Sequence, residues 1–196
     1  MKSFFFLIFK SFFLLNLFFF CFPFMALSKD YTGEILVYAS HFRPNSKFSN
    51  FFNCHNETGA GVSFDVKEKN WPLSIAFESS LFYGESKSVF DDKKKRMDFF
   101  RSDTGIGAKK IFNDDSFVRP FIAGGIYLVR MYGKISGNSD TSLGFGFWWS
   151  SGINIKVSEK IVLGTQFKYS RANISFFEYN GNSGGKYFEL MSGFNF

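Results

Sequence analysis

The last stretch of the chain alternates with a period of two. Phe188, Leu190, Ser192, Phe194 and Phe196 fall on one side of an extended backbone, and Tyr187, Glu189, Met191, Gly193 and Asn195 fall on the other. An apolar face backed by a mixed polar and small face predicts a β-strand. The segment before it repeats the plan, with Ile161, Leu163, Thr165, Phe167 and Tyr169 against Val162, Gly164, Gln166, Lys168 and Ser170. So does Leu143, Phe145, Phe147, Trp149, Ile153 and Ile155 against Gly144, Gly146, Trp148, Gly152, Asn154 and Lys156.

Earlier segments follow less cleanly. Leu73, Ile75, Phe77, Leu81 and Tyr83 oppose Ser74, Ala76, Glu78, Ser80 and Phe82, while Ala60, Val62, Phe64 and Val66 oppose Gly61, Ser63, Asp65 and Lys67. Between Met97 and Ile111, Phe100, Thr104, Ile106 and Ala108 oppose Arg101, Asp103, Gly105, Gly107 and Lys109. The stretch from Phe117 to Tyr132 is apolar on both sides around Gly124-Gly125, so its facing stays open, and the first strand near Gly33 to His41 is weak. The pattern predicts eight strands and no helix of useful length after residue 29.

Asn-, Gly- and Asp-containing breaks separate these strands. The connections Lys67–Trp71, Asn113–Ser116 and Val157–Lys160 are short, and Phe42–Thr58, Glu85–Arg96, Gly133–Asp140 and Asn173–Gly184 are mostly longer and more polar. Short and long connections in alternation predict an all-β, eight-stranded antiparallel up-and-down barrel with short turns at one end and larger loops at the other. Glycine and scattered charge on the polar face suit a narrow, filled lumen, and Phe, Trp and Tyr on the apolar face suit the girdles of a transmembrane barrel. A soluble ligand-binding barrel, with its apolar face inside, is the competing arrangement.

The N-terminus bears on location. Met1-Lys2-Ser3 opens positively, Phe4 to Phe24 is overwhelmingly apolar, and Ala26-Leu27-Ser28 offers small residues at the −3 and −1 positions of a signal-peptidase site. Residues 1–28 are therefore expected to be a cleaved signal peptide and 29–196 the mature barrel domain. Removal of residues 1–28 leaves 168 of the 196 residues, and takes away Lys2 and Lys10, which lowers the net charge from +6 to +4. That mild excess does not imply nucleic-acid binding. Cys21 leaves with the signal, so Cys54 has no disulfide partner, and Cys54-His55 alone is too small a ligand set for zinc. The pattern implies no cofactor.

With those features assembled, Gly105-Ile106-Gly107-Ala108, the Phe112-Asn113-Asp114-Asp115 turn and Arg119-Pro120-Phe121-Ile122-Ala123-Gly124-Gly125-Ile126 resemble the middle of the outer-membrane β-barrel family, the OmpA transmembrane-domain and OmpX-like barrels. Ser151 to Lys160, followed by Leu163-Gly164 and Phe167-Lys168-Tyr169-Ser170, resembles the family's penultimate hairpin, and Gly184-Gly185 to Phe196 its closing strand. The resemblance implies residence in the bacterial outer membrane after export and contact with outer-membrane lipid and lipopolysaccharide. It also implies recognition of Phe196, Phe194 and Leu190 by the barrel-assembly machinery.

Chemistry is less legible. Lipid A deacylases, which this chain resembles in length, carry a His-x-Ser pair on a late strand, where alternate residues share a face. Here Lys168 stands in place of the imidazole two positions before Ser170. A lysine is a base only when its pKa is strongly depressed, so Ser170 reads as an ordinary strand serine. His41 and His55 read as single loop histidines. Lys87, Lys93, Lys94, Lys95 and Arg96, offset in part by Asp91 and Asp92, could contact lipopolysaccharide phosphates. Asp65, Glu78, Arg101, Asp103, Lys109, Lys168 and Glu189 should pair within the lumen, since charges without water need partners. The expected role is that of a monomeric, non-enzymatic barrel acting through its outer loops. A lipid A-modifying enzyme and a soluble periplasmic ligand-binding barrel are the alternatives.

Overall fold

The computed structural model describes residues 31–90, 93–135 and 137–196, without the side chains of 85–96. The expected signal segment 1–28 lies outside the described residues.

Alternating segments become strands β1 (Tyr31–Pro44), β2 (Glu57–Glu68), β3 (Ser74–Phe90), β4 (Lys93–Ile111), β5 (Val118–Ile135), β6 (Asn138–Lys156), β7 (Ile161–Phe176), a short β8 (Tyr179–Asn182) and β9 (Gly185–Asn195), with helix α1 (Ser46–Phe52) between β1 and β2. Strands β1 to β7 pair in sequence order, and β9 lies between β7 and β1. Eight antiparallel strands thus close on themselves, while β8 only folds back on the outer end of β7, from Asn173↔Asn182 to Phe176↔Tyr179. Closure is completed at the chain end, where Gly33 and Phe196 exchange two backbone hydrogen bonds of 3.1 Å.

The barrel is inside out through its middle. Phe145 is 73% exposed and Phe194 62%, both pointing outward, whereas inward-pointing Arg101 and Glu189 are fully buried. An outward band of Ile75, Ile106, Ile126, Phe147, Leu163 and Leu190 rings the strands. Such a band fits hydrocarbon, where a closed ladder pairs neighbouring strands all the way round. This excludes the soluble-barrel arrangement. Among the described residues no helix is long and apolar enough to cross a membrane.

Toward the end with the larger loops the pattern inverts. Along β5 the inward residues change from Arg119 to Val129, Met131 and Ile135, and the outward ones change from Ile122 and Ile126 to Arg130 and Lys134. Inside the bilayer the solvent for the outer face is lipid; beyond it the solvent is water, and the apolar side chains turn inward. That switch within one strand explains why Phe117–Tyr132 looks apolar on both sides.

It also corrects the connections. Glu85–Arg96 and Gly133–Asp140 are not open loops, because their ladders continue to Phe90↔Lys93 and Ile135↔Asn138. The alternation of a lipid-facing strand fades there although the backbone pairing does not. Within Phe42–Thr58 the unforeseen α1 is short and held by its ends: the Asn45 side chain accepts from Lys47 N and Phe48 N, and Asn53 closes it in the left-handed conformation (φ 49°). Phe48 and Phe52, one turn apart, are both buried.

Two glycines set how closely β4 and β5 approach. A Cβ on Gly125 would lie 2.1 Å from the Ile106 carbonyl oxygen and 2.5 Å from Gly107 Cα, and one on Gly107 would lie 2.2 Å from the Gly124 oxygen. Gly125→Val is therefore expected to destabilise the barrel by about 3 kcal/mol or more. Urea unfolding, with heat-modifiable gel migration as the measure of folded barrel, checks this. Ile126→Val, one residue on and facing lipid, should behave as wild type.

Candidate functional site: the filled lumen and its outer cap

The inward faces converge on three tiers of polar side chains. At the short-turn end, Lys109 on β4 sits between Glu34 (2.8 Å) and Asp65 (2.6 Å). Glu34 also meets Arg119 at 2.7 Å and accepts from Asn154 Nδ2 at 2.6 Å. Arg119 reaches on to Asp114, 3.7 Å away in the β4–β5 turn, and Lys67 pairs with the same carboxylate. The middle tier is Lys168 between Glu78 and Glu189, each at 3.2 Å, with Ser40 and Gln166 donating to Glu189.

The upper tier is built around Arg101. Its guanidinium grips Asp103, two residues on along the same face, through Nε–Oδ1 at 2.7 Å and Nη2–Oδ2 at 2.9 Å. Its remaining donors go to the Ser183 carbonyl (2.7 Å) and the Tyr187 hydroxyl (2.8 Å), and it stacks over the Phe42 ring at 4.4 Å. The two parallel bonds use the fork geometry specific to arginine. A small cavity of about 10 Å³ lies beside this tier, between Lys168, Ser170, Tyr127 and Trp148. It has room for about one water molecule. The lumen is thus a packed polar core in which Asp65, Glu78, Arg101, Asp103, Lys109, Lys168 and Glu189 all find opposite charges.

Glu34 and Arg119 were not foreseen as members, whereas Asn154 and Tyr187 lie on the faces the alternation gave to the lumen. Glu34 and Arg119 belong to the two strands with the least legible facing. Their signal was parity: Glu34 shares its face with Leu36, Tyr38 and Phe42, which fill the lumen rather than meet lipid.

The candidate catalytic pair is absorbed into this packing. Ser170 is buried, with its Oγ 3.1 Å from the Tyr187 hydroxyl, and Lys168 is engaged by its two carboxylates. His41 points outward from β1, and His55 Nδ1 lies 2.9 Å from Ser49 Oγ. Cys54 is buried while His55 is exposed, so the adjacent pair diverges.

Above the polar tiers lies an apolar cap. Helix α1 packs against β3 and β8, and places Phe48 and Phe52 with Met97, Phe99, Met131 and Phe176 across the outer mouth. Phe48 meets the Tyr179 ring edge-on at 5.3 Å, and Asn45 Nδ2 donates to the carbonyls of Asn182 and Gly184. Under the cap, Glu57 is 3% exposed, and neither carboxyl oxygen has a hydrogen-bond partner among the described residues. Glu57 precedes Thr58, whose ladder partner Tyr83 stands at the outer rim of the apolar band, so the carboxyl lies beyond the membrane. Burial pushes it up to about 8, against the pull of Arg101 and with a further push from Asp103. Burial, then Glu57, push the Cys54 thiol up to about 12.

The expected assembly residues lie at the closing seam. Leu190 and Phe194 project outward from β9, and the Phe196 ring stacks on Phe64 at 5.8 Å. Of the expected lipopolysaccharide contacts, Lys93, Lys94, Lys95 and Arg96 have backbones paired in the β3–β4 hairpin, and their side chains lie outside the described residues.

No family model matches the sequence, and no curated protein matches it. The fold is similar to that of Neisserial surface protein A, at 16% identity and TM-score 0.58, over 84% of this chain and 95% of that one. It is similar as well to Ail, the attachment invasion locus protein of Yersinia pestis, at 12% identity and TM-score 0.56, over 85% and 99%. Ail is also described in complex with the heparin analogue sucrose octasulfate. The N-terminal β-barrel domain of Pseudomonas aeruginosa OprF matches at 14% identity and TM-score 0.53, over 84% and 99%. The chain therefore has the fold of the small eight-stranded bacterial outer-membrane β-barrels, and its outward apolar band suits it to that bilayer.

Removing one partner of a buried set leaves uncompensated charge. Lys168→Met strands Glu78 and Glu189 together and is expected to lower the unfolding free energy by about 3–5 kcal/mol, whereas Glu78→Gln, Lys168→Met and Glu189→Gln combined should recover most of it. Urea titration of the barrel in lipid vesicles checks both.

Glu57 gives the cap a pH dependence. Its folded pKa is above the unfolded value, so the closed cap binds the extra proton. The stability conferred by the protonated form is complete below about pH 4.5 and is lost as pH rises toward 8. The ratio of Cys54 maleimide labelling in wild type to that in Glu57→Gln should climb by up to about tenfold per pH unit across that window. A ratio independent of pH would remove Glu57 from control of the cap.

Proposed function

We propose that the protein is a non-enzymatic outer-membrane barrel whose outer end mediates surface interaction, acting as a monomer. One observation carries this reading. The lumen is filled by paired charges and closed by α1, which leaves the outer surface as the place where the barrel meets other molecules. The cationic hairpin is the candidate contact. Lys87 stands opposite Arg96, Ser88 opposite Lys95 and Val89 opposite Lys94, on ladders that run seven residues past Tyr83. That is about 20 Å of strand beyond the membrane rim. At that height the phosphates of the lipopolysaccharide saccharide are within reach, and the fold shared with Ail, solved with a sulfated heparin analogue, supports a polyanion as the partner class. Biogenesis would proceed by export, cleavage after Ser28 and recognition of Phe196, Phe194 and Leu190 by the assembly machinery.

The combined variant K93Q/K94Q/K95Q/R96Q is expected to fold normally and to lose about tenfold or more in affinity for lipopolysaccharide, measured by surface plasmon resonance at fixed salt. Unchanged affinity would remove the hairpin from the contact. Mass spectrometry of lipid A from cells with and without the protein tests the absence of catalysis. A changed acyl chain count would make the protein a lipid A-modifying enzyme instead.

A further inference from the structure

Outside the hairpin, three basic side chains share one height on neighbouring strands. Arg43 on β1 stands directly opposite Lys186 on β9, Lys186 stands opposite Tyr169 on β7, and Arg171 lies two residues past Tyr169 on the same outward face. All three are exposed. Each closes a span of lipid-facing chain: ten residues separate Lys186 from Phe196, and ten separate Arg171 from Ile161. A tilted transmembrane strand needs about 9–11 residues. The three cations therefore stand on the outer rim of the hydrocarbon layer, with Phe188, Leu190 and Phe167 directly beneath them.

Their charge is uncompensated. None of the three has an ion pair or a side-chain hydrogen bond among the described residues. The outward neighbours on these strands at that height are His41, Tyr169 and Asn173. The nearest acid in sequence, Glu189, is buried in the lumen on Lys168, and the next, Glu178, lies in the turn beyond β7. Like charges set directly opposite on paired strands destabilise a sheet. Adjacent strands are about 4.8 Å apart, so the three side chains can converge on one group. An arrangement that repels itself, faces outward and crowns an apolar wall is complemented by an amphiphile with phosphate at the same height.

We propose that Arg43, Arg171 and Lys186 form a binding site for a phosphate of lipid A, with its acyl chains lying on the apolar wall of β7, β9 and β1. The site rests on the reading of the chain as an outer-membrane barrel, and it is separate from the hairpin contact about 20 Å further out along the strands. The larger-loop end faces the outer leaflet in such barrels, and the lipid with phosphate at that boundary is lipid A. Guanidinium forks suit phosphate oxygens, and lysine adds a point charge.

The test is native mass spectrometry of the refolded mature barrel released from micelles containing bisphosphorylated lipid A, the same lipid without phosphates, or phosphatidylglycerol. Wild type is expected to retain bisphosphorylated lipid A. R43Q/R171Q/K186Q should retain it about tenfold less or worse, as should wild type with the dephosphorylated lipid. In lipid-free micelles the triple variant should unfold at the same urea concentration as wild type or a higher one, because it relieves repulsion. Equal retention by the triple variant would overturn the site. Equal retention of the dephosphorylated lipid would reduce it to apolar adhesion, and equal retention of phosphatidylglycerol would overturn the assignment to lipid A. Failure of wild type to show heat-modifiable migration would instead overturn the membrane-barrel reading on which the site rests.

Discussion

A backbone that crosses hydrocarbon must satisfy all of its N–H and C=O groups within the protein, and most of this structure follows from that constraint. β9 lies between β7 and β1, so the last strand leaves no edge within the apolar band. The reciprocal bonds of Gly33 and Phe196 extend the ladder to the final residue. Closing only eight strands leaves an interior that side chains can fill. Glycines 107 and 125 bring two of those strands together in the middle of the barrel.

The narrow interior then sets the chemistry of the lumen. Charges held there cannot be solvated by bulk water, and they are arranged so that Lys109 and Lys168 each bridge two carboxylates while Arg101 spends its donors on Asp103, Tyr187 and Ser183. Such sets contribute little net stability relative to an apolar core, but they are costly to break singly. They also make register consequential, since a one-residue slip of β4 would carry Arg101, Asp103 and Lys109 to the lipid side.

Beyond the rim the same strands serve a different solvent. Water outside favours Arg130 and Lys134 there and drives Met97, Val129 and Met131 inward, where α1 completes the packing. The outer third of the molecule is therefore built like a small soluble domain on a membrane base. Glu57 lies at the junction of the two regimes, beneath the apolar cap and next to the Arg101–Asp103 pair in the electrostatic sense. The rim itself carries the unbalanced cations of β1, β7 and β9.

The closing strand, the penultimate hairpin and the separation of Phe188, Leu190 and Phe194 from Glu189 were legible because, inside the bilayer, parity alone decides what a side chain meets. Strand count, closure and the membrane were readable for the same reason. The signal failed where the solvent changed along a strand, as in β5, or where the inward face was itself aromatic, as in β1. It missed α1 because seven residues carry too little periodicity to be read without their caps. Which lysine meets which carboxylate, the burial of Glu57 and the convergence of Arg43, Arg171 and Lys186 needed the tertiary structure. Those contacts join positions far apart in the chain, and a period of two specifies the face of a residue but not its height or its neighbour across the barrel.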